Sequence, residues 1–315
     1  MNTQREDCWI TYEGEAGPGA GKHIVFISGD EEYRSEEGLP MLAKILAVRH
    51  GFTCTVLFAI DPETGAIDPD TLDNIPGLHH LDTADMMVML IRFRELPDEQ
   101  MKHIIDFVNR GKPLMGLRTA THAFQYVKNP ESPYAKYSCE DEAFEGGFGR
   151  QVLGETWVAH HGDHGVESTR GVVDESNAAH PVLKGVQDLW CPTDVYAVND
   201  ITGDPRILAW GQVLSGMDPN DSPNPDKSRM PVAWTKSYTG DEGNASRVFC
   251  TTMGASVDLE NAGLRRLLVN GCYWGMEMED RIQAESSVEF VGDYDPTAFG
   301  YGRFAKGVRP SSHAI

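Results

Sequence analysis

The chain has 315 residues, 40% hydrophobic and 9% aromatic, enough to bury a core in one large domain or two modest ones. A formal charge of -21 with no local cluster of Lys or Arg argues against a nucleic acid or an anionic membrane surface as a partner. The six cysteines form no Cys-x-x-Cys pair, which argues against a zinc ribbon or a dense disulfide scaffold, and no run of about 18 apolar residues offers a membrane span.

Residues 1–22 end in a glycine-rich stretch, Gly14 to Lys22, and read as a flexible lead-in. Met1 to Asp7 lacks the apolar core of a signal peptide, so the chain as it stands reads as cytoplasmic. His23-Ile-Val-Phe-Ile-Ser28, closed by Gly29-Asp30, has the pattern of a buried parallel strand. Ser35 is placed to cap a helix carrying Leu39, Leu42, Ile45 and Leu46. A second strand follows at 52–59, a loop at 61–76, a third strand at 86–91, a helix at 97–110 and a fourth strand at 112–117. This alternation predicts an α/β fold with a doubly wound, mostly parallel sheet. Beyond residue 125 the pattern loosens; strands are expected near 205–210, 230–234 and 246–252, and a helix at 261–276 with Leu264, Leu267, Leu268 and Cys272 on one stripe. One domain is expected over 23–280, with a tail at 281–315 wrapping the surface.

Gly116-Leu-Arg-Thr-Ala-Thr-His-Ala-Phe124 reads as a strand breaking sharply into a helix. At such an elbow a G-x-nucleophile-x-G pattern would present Ser or Cys, but Arg118 holds that place, so glutaminase chemistry is not expected. Arg118 and Thr119, among free backbone N–H groups, suit an oxygen-rich or anionic group, and His122 suits an acid, a base or a metal ligand. The plainer reading pairs Arg118 with a carboxylate and leaves His122 as a hydrogen-bonded helix residue.

Trp157-Val-Ala-His-His-Gly-Asp-His164 places three of the eleven histidines within five residues. His161 or His164 would serve as acid or base, or join His122 in holding a divalent metal, with zinc, nickel or copper favoured over magnesium. The spacing matches no helical H-E-x-x-H site, and a surface loop with backbone-bonded histidines is the alternative. After the first strand, Glu31 and Glu32 offer a base, a metal ligand or hydroxyl acceptors, and Tyr33 and Arg34 offer donors, a mixture that suits a sugar. Asp194 and Tyr196 either reach the same pocket or stabilise a turn.

Taken in order, the first strand, the elbow, the His-His-Gly loop, Ala179-His-Pro-Val-Leu-Lys-Gly, Thr193-Asp-Val-Tyr and Arg247-Val-Phe-Cys-Thr-Thr-Met-Gly resemble the trehalose-utilisation (ThuA-like) family over about residues 23–280. The likeness is strongest to the branch common in planctomycete-type bacteria, including the tail at 306–313. The resemblance implies a flavodoxin-like, class I glutamine amidotransferase-like fold with an elaborated C-terminal half. It also implies sugar metabolism, with action on 3-keto sugars or glycosides made by a partner dehydrogenase. Relatives of that branch often carry an export signal, which makes the periplasm the alternative location. On this reading Arg118, Glu31, Tyr33, Arg34, Thr119, Asp194 and Tyr196 hold the sugar. His122, His161 and Glu32 carry proton transfers in elimination or isomerisation, with or without a metal on His122, His161 and His164. No nucleotide cofactor is expected, and a homo-oligomer stays open. The alternatives are a metal-dependent hydrolase of a glycoside or amide and a non-catalytic sugar-binding protein.

Overall fold

A computed structural model describes residues 6–315. Its strands, in chain order, are Trp9–Tyr12 (β1), His23–Gly29 (β2), Thr53–Phe58 (β3), Met86–Ile91 (β4), Leu114–Leu117 (β5), Thr169–Val173 (β6), Trp190–Cys191 (β7), Arg206–Val213 (β8), Met230–Thr239 (β9) and Ala245–Thr251 (β10). The α-helices are Ser35–His50 (α1), Asp98–Asn109 (α2) and Ala262–Gly275 (α3). All the strands join one mixed sheet in the order β1-β3-β2-β4-β5-β10-β9-β8-β6-β7. From β3 to β10 the neighbours are parallel; the strands beyond β10 and the edge strand β1 are antiparallel.

The uninterrupted apolar character of β2 and β4 follows from burial on both faces. Alternate residues divide between two cores, as the two-residue period of a strand requires. Ile24, Phe26, Val88 and Met115 meet α1 and α3 through Leu42, Leu46, Leu264 and Leu268. Val25, Ile27, Met87 and Met89 meet α2 through Met101, Ile104 and Val108 on the opposite face.

Four local expectations need correction. The lead-in carries a strand: β1 pairs with β3 in the register Trp9↔Leu57 to Tyr12↔Cys54. Ser35 is the first residue of α1 rather than its cap; its hydroxyl accepts from the Asp30 N–H at 3.1 Å and bonds Ser28 at 2.8 Å, tying the helix to β2. The elbow after β5 leads into a short 3-10 helix, Arg118–His122, rather than an α-helix. The C-terminal half gains β6 and β7, which are too short and polar to show a strand period. Asn261 caps α3 as a good N-cap should, its side chain accepting from the Leu264 N–H.

The C-terminal segment crosses the carboxyl edge of the parallel strands. Glu37 accepts from the Thr297 N–H and hydroxyl at 2.8 and 2.7 Å, and the Gly300 N–H donates to the Glu32 carbonyl at 2.8 Å. Further on, the Val308 carbonyl accepts from the Ile67 N–H, and the His313 carbonyl from the Tyr12 hydroxyl, each at 2.8 Å. Among the described residues no helix is long and apolar enough to cross a membrane.

Candidate functional site

The loops leaving β2, β4 and β5 bring charged side chains together at the carboxyl edge, where open α/β sheets hold their ligands. Asp30 accepts from the N–H groups of Glu32, at 2.8 Å, and Tyr33, and from the Thr119 hydroxyl. Glu31 pairs with Arg92 and, at 2.7 Å, with Arg94. Arg94 also donates to the carbonyls of Pro69 and Thr71, both at 2.9 Å. Burial raises the Glu31 carboxyl above its ordinary value, with Arg94 pulling the other way.

Arg118 lies fully buried beneath these groups, with its backbone at φ 43°. It donates to the Asp194 carboxylate at 2.8 Å, the Asp194 carbonyl at 2.9 Å, the Thr252 carbonyl at 2.8 Å and the Tyr33 hydroxyl at 3.1 Å. Its guanidinium carbon stands 4.3 and 4.2 Å from the ring centres of Tyr33 and Tyr196, a double cation–π contact. The structure places Arg118 toward the protein: both terminal nitrogens of its guanidinium donate to protein acceptors and fix Asp194, and Nε alone has no partner. Thr119 is spent on Asp30 in the same way. Arg34 is fully buried as well, donating to the Glu31 carbonyl with Phe304 under its guanidinium. Arg34, Phe93 and Arg118 all adopt positive φ, a cost tolerated where surrounding contacts over-determine the backbone.

Above this floor the histidine loop is pinned to the segment 194–197. The Val195 carbonyl accepts from the N–H groups of His161 and Gly162 at 2.8 and 2.9 Å, and the Ala159 carbonyl from that of Ala197 at 2.9 Å. The pinning decides which imidazoles turn toward Asp194. His160 Nδ1 lies 2.7 Å from one Asp194 oxygen and His164 Nδ1 lies 2.9 Å from the other. His164 Nε2 reaches Glu32 at 3.1 Å. His161 turns away and donates from Nε2 to the Ser228 carbonyl at 2.8 Å. His122 is buried, with Nδ1 3.2 Å from the Thr121 hydroxyl and its ring between those of Phe93 and Trp157, at 5.0 and 5.4 Å. The anticipated ligand set of His122, His161 and His164 is thus not assembled. Among the described residues the structure gathers His160, His164 and Asp194 instead, with ligand atoms all within 4.8 Å of one another.

These surroundings sort the charges. Burial works to raise the Asp194 carboxyl, but Arg118 and the bonds from His160 and His164 outweigh it and hold it well below the ordinary carboxylate range. Bonds to Asp194 and Glu32 lift His164 to about 9, so it is an imidazolium at neutral pH. Glu32 stays below its ordinary value despite burial, because His164 and the Tyr301 hydroxyl bond to it. His122 is pushed well below the ordinary imidazole value, first by burial and then by Arg92 and Arg118, and is neutral. The Asp194 oxygen accepts from His160 Nδ1, so Nε2 is the ring nitrogen of His160 that points away from the carboxylate. His160 stands in the same His-His pair as His161, and only the loop's hydrogen bonds distinguish the two.

The fold and this polar cluster define an α/β protein with a group of charged and imidazole side chains at the carboxyl edge of a mixed sheet. The chain belongs to the ThuA family, described as trehalose utilisation, which it matches over residues 24–275. Membership carries a carbohydrate-related function. A ThuA-like protein from Parabacteroides merdae ATCC 43184 is 16% identical with a TM-score of 0.51, the match covering 89% of this chain and 97% of that one. A ThuA-like protein from Bacteroides uniformis ATCC 8492 is 15% identical with a TM-score of 0.49 over 84% and 94%. The glutaminase domain of Trypanosoma brucei CTPS is 10% identical with a TM-score of 0.37 over 86% and 98%. No curated protein matches the chain.

Proposed function

We propose that the chain is an enzyme of carbohydrate breakdown that acts on 3-keto sugars or glycosides by acid–base chemistry, with His160 as base and His164 as acid. The observation that carries this reading is the Asp194 carboxylate, which holds two imidazoles on separate oxygens, one of them, His164, also bonded to Glu32 and lifted to about 9. An imidazolium held beside a second imidazole offers a proton donor next to a candidate acceptor. A ketone at C3 acidifies the neighbouring C2–H. His160 Nε2 takes that proton, the freed electron pair forms the C1–C2 double bond, and the C1–O bond breaks. The departing oxygen takes the proton of His164, so a glycoside yields an unsaturated keto sugar and an alcohol. Glu32 aligns His164 from the other side, and the neutral His122 lies among the aromatic rings beneath. A dehydrogenase that oxidises C3 would supply the substrate. We take the parallel half as a flavodoxin-like, doubly wound core, supported by the order β3-β2-β4-β5-β10 and by helices packed on both faces.

The ligand-atom spacing favours a second reading. Two imidazoles and a carboxylate within 4.8 Å suit zinc or a similar borderline ion. Bound there, the ion would polarise a carbonyl or activate a water, and His160, His164 and Asp194 would hold it.

Incubation with 3-keto and unmodified glucosides, followed by enone absorbance and alcohol release, tests the proposal. Turnover is expected for the keto sugars alone. Hydrolysis of unmodified glucosides without enone would replace elimination by the hydrolase reading, and binding without turnover would leave a sugar-binding protein. Elemental analysis after purification without added ions separates the two readings: about one equivalent of metal, lost in His160→Ala, selects the metal, and less than about a tenth of an equivalent selects acid–base chemistry alone.

A further inference from the structure

The family match ends at residue 275, yet part of the wall beside Glu32 and His164 comes from the segment beyond it. Phe299 packs its ring 5.7 Å from Tyr33 and 5.3 Å from His164. Two residues on, Tyr301 is 58% exposed, although large aromatic side chains are highly buried on average. Its position is built. The Arg92 guanidinium lies 5.2 Å from the Tyr301 ring centre and 4.4 Å from that of Phe93, so the arginine is stacked between the two rings. Arg92 is in turn fixed by Glu31, and the Tyr301 hydroxyl stands near enough to Glu32 to help hold that carboxyl below its ordinary value.

The backbone is shaped to this end. Gly300 and Gly302 flank Tyr301 at φ 134° and 66°, values that side chains other than glycine rarely adopt, and together they swing the tyrosine outward. Thr297 on Glu37 and the Gly300 N–H on the Glu32 carbonyl anchor the near side, and Phe304 beneath Arg34 anchors the far side. An exposed aromatic face held rigid beside a carboxylate acceptor and a guanidinium donor matches a pyranose, which has an apolar C–H face edged by hydroxyls.

We propose that Tyr301, supported by Phe299 and Arg92, is a carbohydrate-binding platform, a specificity element that the C-terminal strap adds to the family core. The inference rests on the reading of a sugar ligand and goes beyond it by naming the surface that holds the ring. One pyranose stacks on the Tyr301 face with a hydroxyl directed at Glu32, which sets the glycosidic bond next to His164.

The test is binding, measured apart from turnover. Methyl glucoside and its 3-keto derivative are titrated into the wild type, Tyr301→Ala, Tyr301→Leu and Tyr301→Phe, with saturation-transfer NMR on the sugar ring protons and thermal melts as a folding control. The expected result is affinity about tenfold weaker in Tyr301→Ala, matched by Tyr301→Leu, with a smaller loss in Tyr301→Phe and unchanged melting. Affinity within about twofold of wild type in Tyr301→Ala overturns the platform, as does the absence of sugar saturation in the wild type. Tyr301-dependent binding with no turnover of any sugar leaves the platform standing and removes the acid–base reading. Turnover with Tyr301-independent binding does the reverse.

Discussion

The floor and the rim of the carboxyl edge both set carboxylates against nitrogen bases, arginines below and imidazoles above, and treat charge in opposite ways. On the floor, Glu31 meets two arginines and Arg118 meets Asp194, two carbonyl oxygens and two aromatic rings, so these charges are compensated inside the protein. On the rim, His160 keeps a free Nε2, and His164 stays about a third exposed between Asp194 and Glu32. Asp194 belongs to both: one carboxylate braces the floor through Arg118 and orients the rim through its two imidazoles. The contrast teaches that a group's access from solvent, rather than its charge alone, decides whether it holds the fold or can meet a ligand.

The comparison breaks most sharply on rates. His160→Ala and His164→Ala should each cost about 10²–10⁴-fold in turnover of a 3-keto glucoside while their melts stay close to wild type. His161→Ala, whose ring serves only the Ser228 carbonyl, should turn over at nearly the wild-type rate. Equal losses at positions 160 and 161 would erase the distinction between the two faces of the loop. Next in size is a floor effect on stability. Arg118→Met leaves Asp194 buried without its arginine and should lower unfolding stability by about 3–5 kcal/mol in urea. A loss below about 1 kcal/mol would mean that the ion pair does not brace the floor.

A pH-dependent effect sharpens the picture of a buried acid that lacks partners. Glu36 is buried, neither carboxylate oxygen has a hydrogen-bond partner, and the nearest cation, Arg34 Nε, stands 3.6 Å away. Burial pushes its carboxyl from 4.5 up to about 8. Over that interval the folded chain keeps a proton that the unfolded chain has released, so stability falls as pH rises through it and levels off above. Glu36→Gln should flatten that decline, matching wild type near pH 4 and melting higher at pH 8. Parallel slopes for the two proteins would place the proton elsewhere.

Much of the parallel half was legible because each element there carries its own period: apolar runs for β2 and β4, and a 3.6-residue stripe for α2 and α3. The elbow after β5 was legible as a strand running into a helix, but nothing local to Gly116-Leu-Arg says that Arg118 will take a positive φ or that the helix will be a five-residue 3-10 one. The choice of His160 over His161 depends on the Val195 carbonyl, a contact made across the fold. The role of Arg118 was open for the same reason: its acceptors at Asp194 and Thr252 come from another half of the chain. Tyr301 gave no periodic signal, and its meaning comes from Arg92 and Glu32, more than two hundred positions earlier.

The junction of β5 with β10, in the register Leu117↔Thr251, also bears on how the molecule assembles. Arg118 follows the first of these strands, and its bond to the Thr252 carbonyl spans 134 positions. A chain that has formed only its first four parallel strands has no Asp194 or Thr252 against which to desolvate that guanidinium, so Arg118 must stay in water until the later half docks. Docking and charge compensation are then one event, of high contact order and correspondingly slow. The site is completed at the moment the two halves commit to each other, and damage to Asp194 or Arg118 acts on the speed of folding as well as on the folded state.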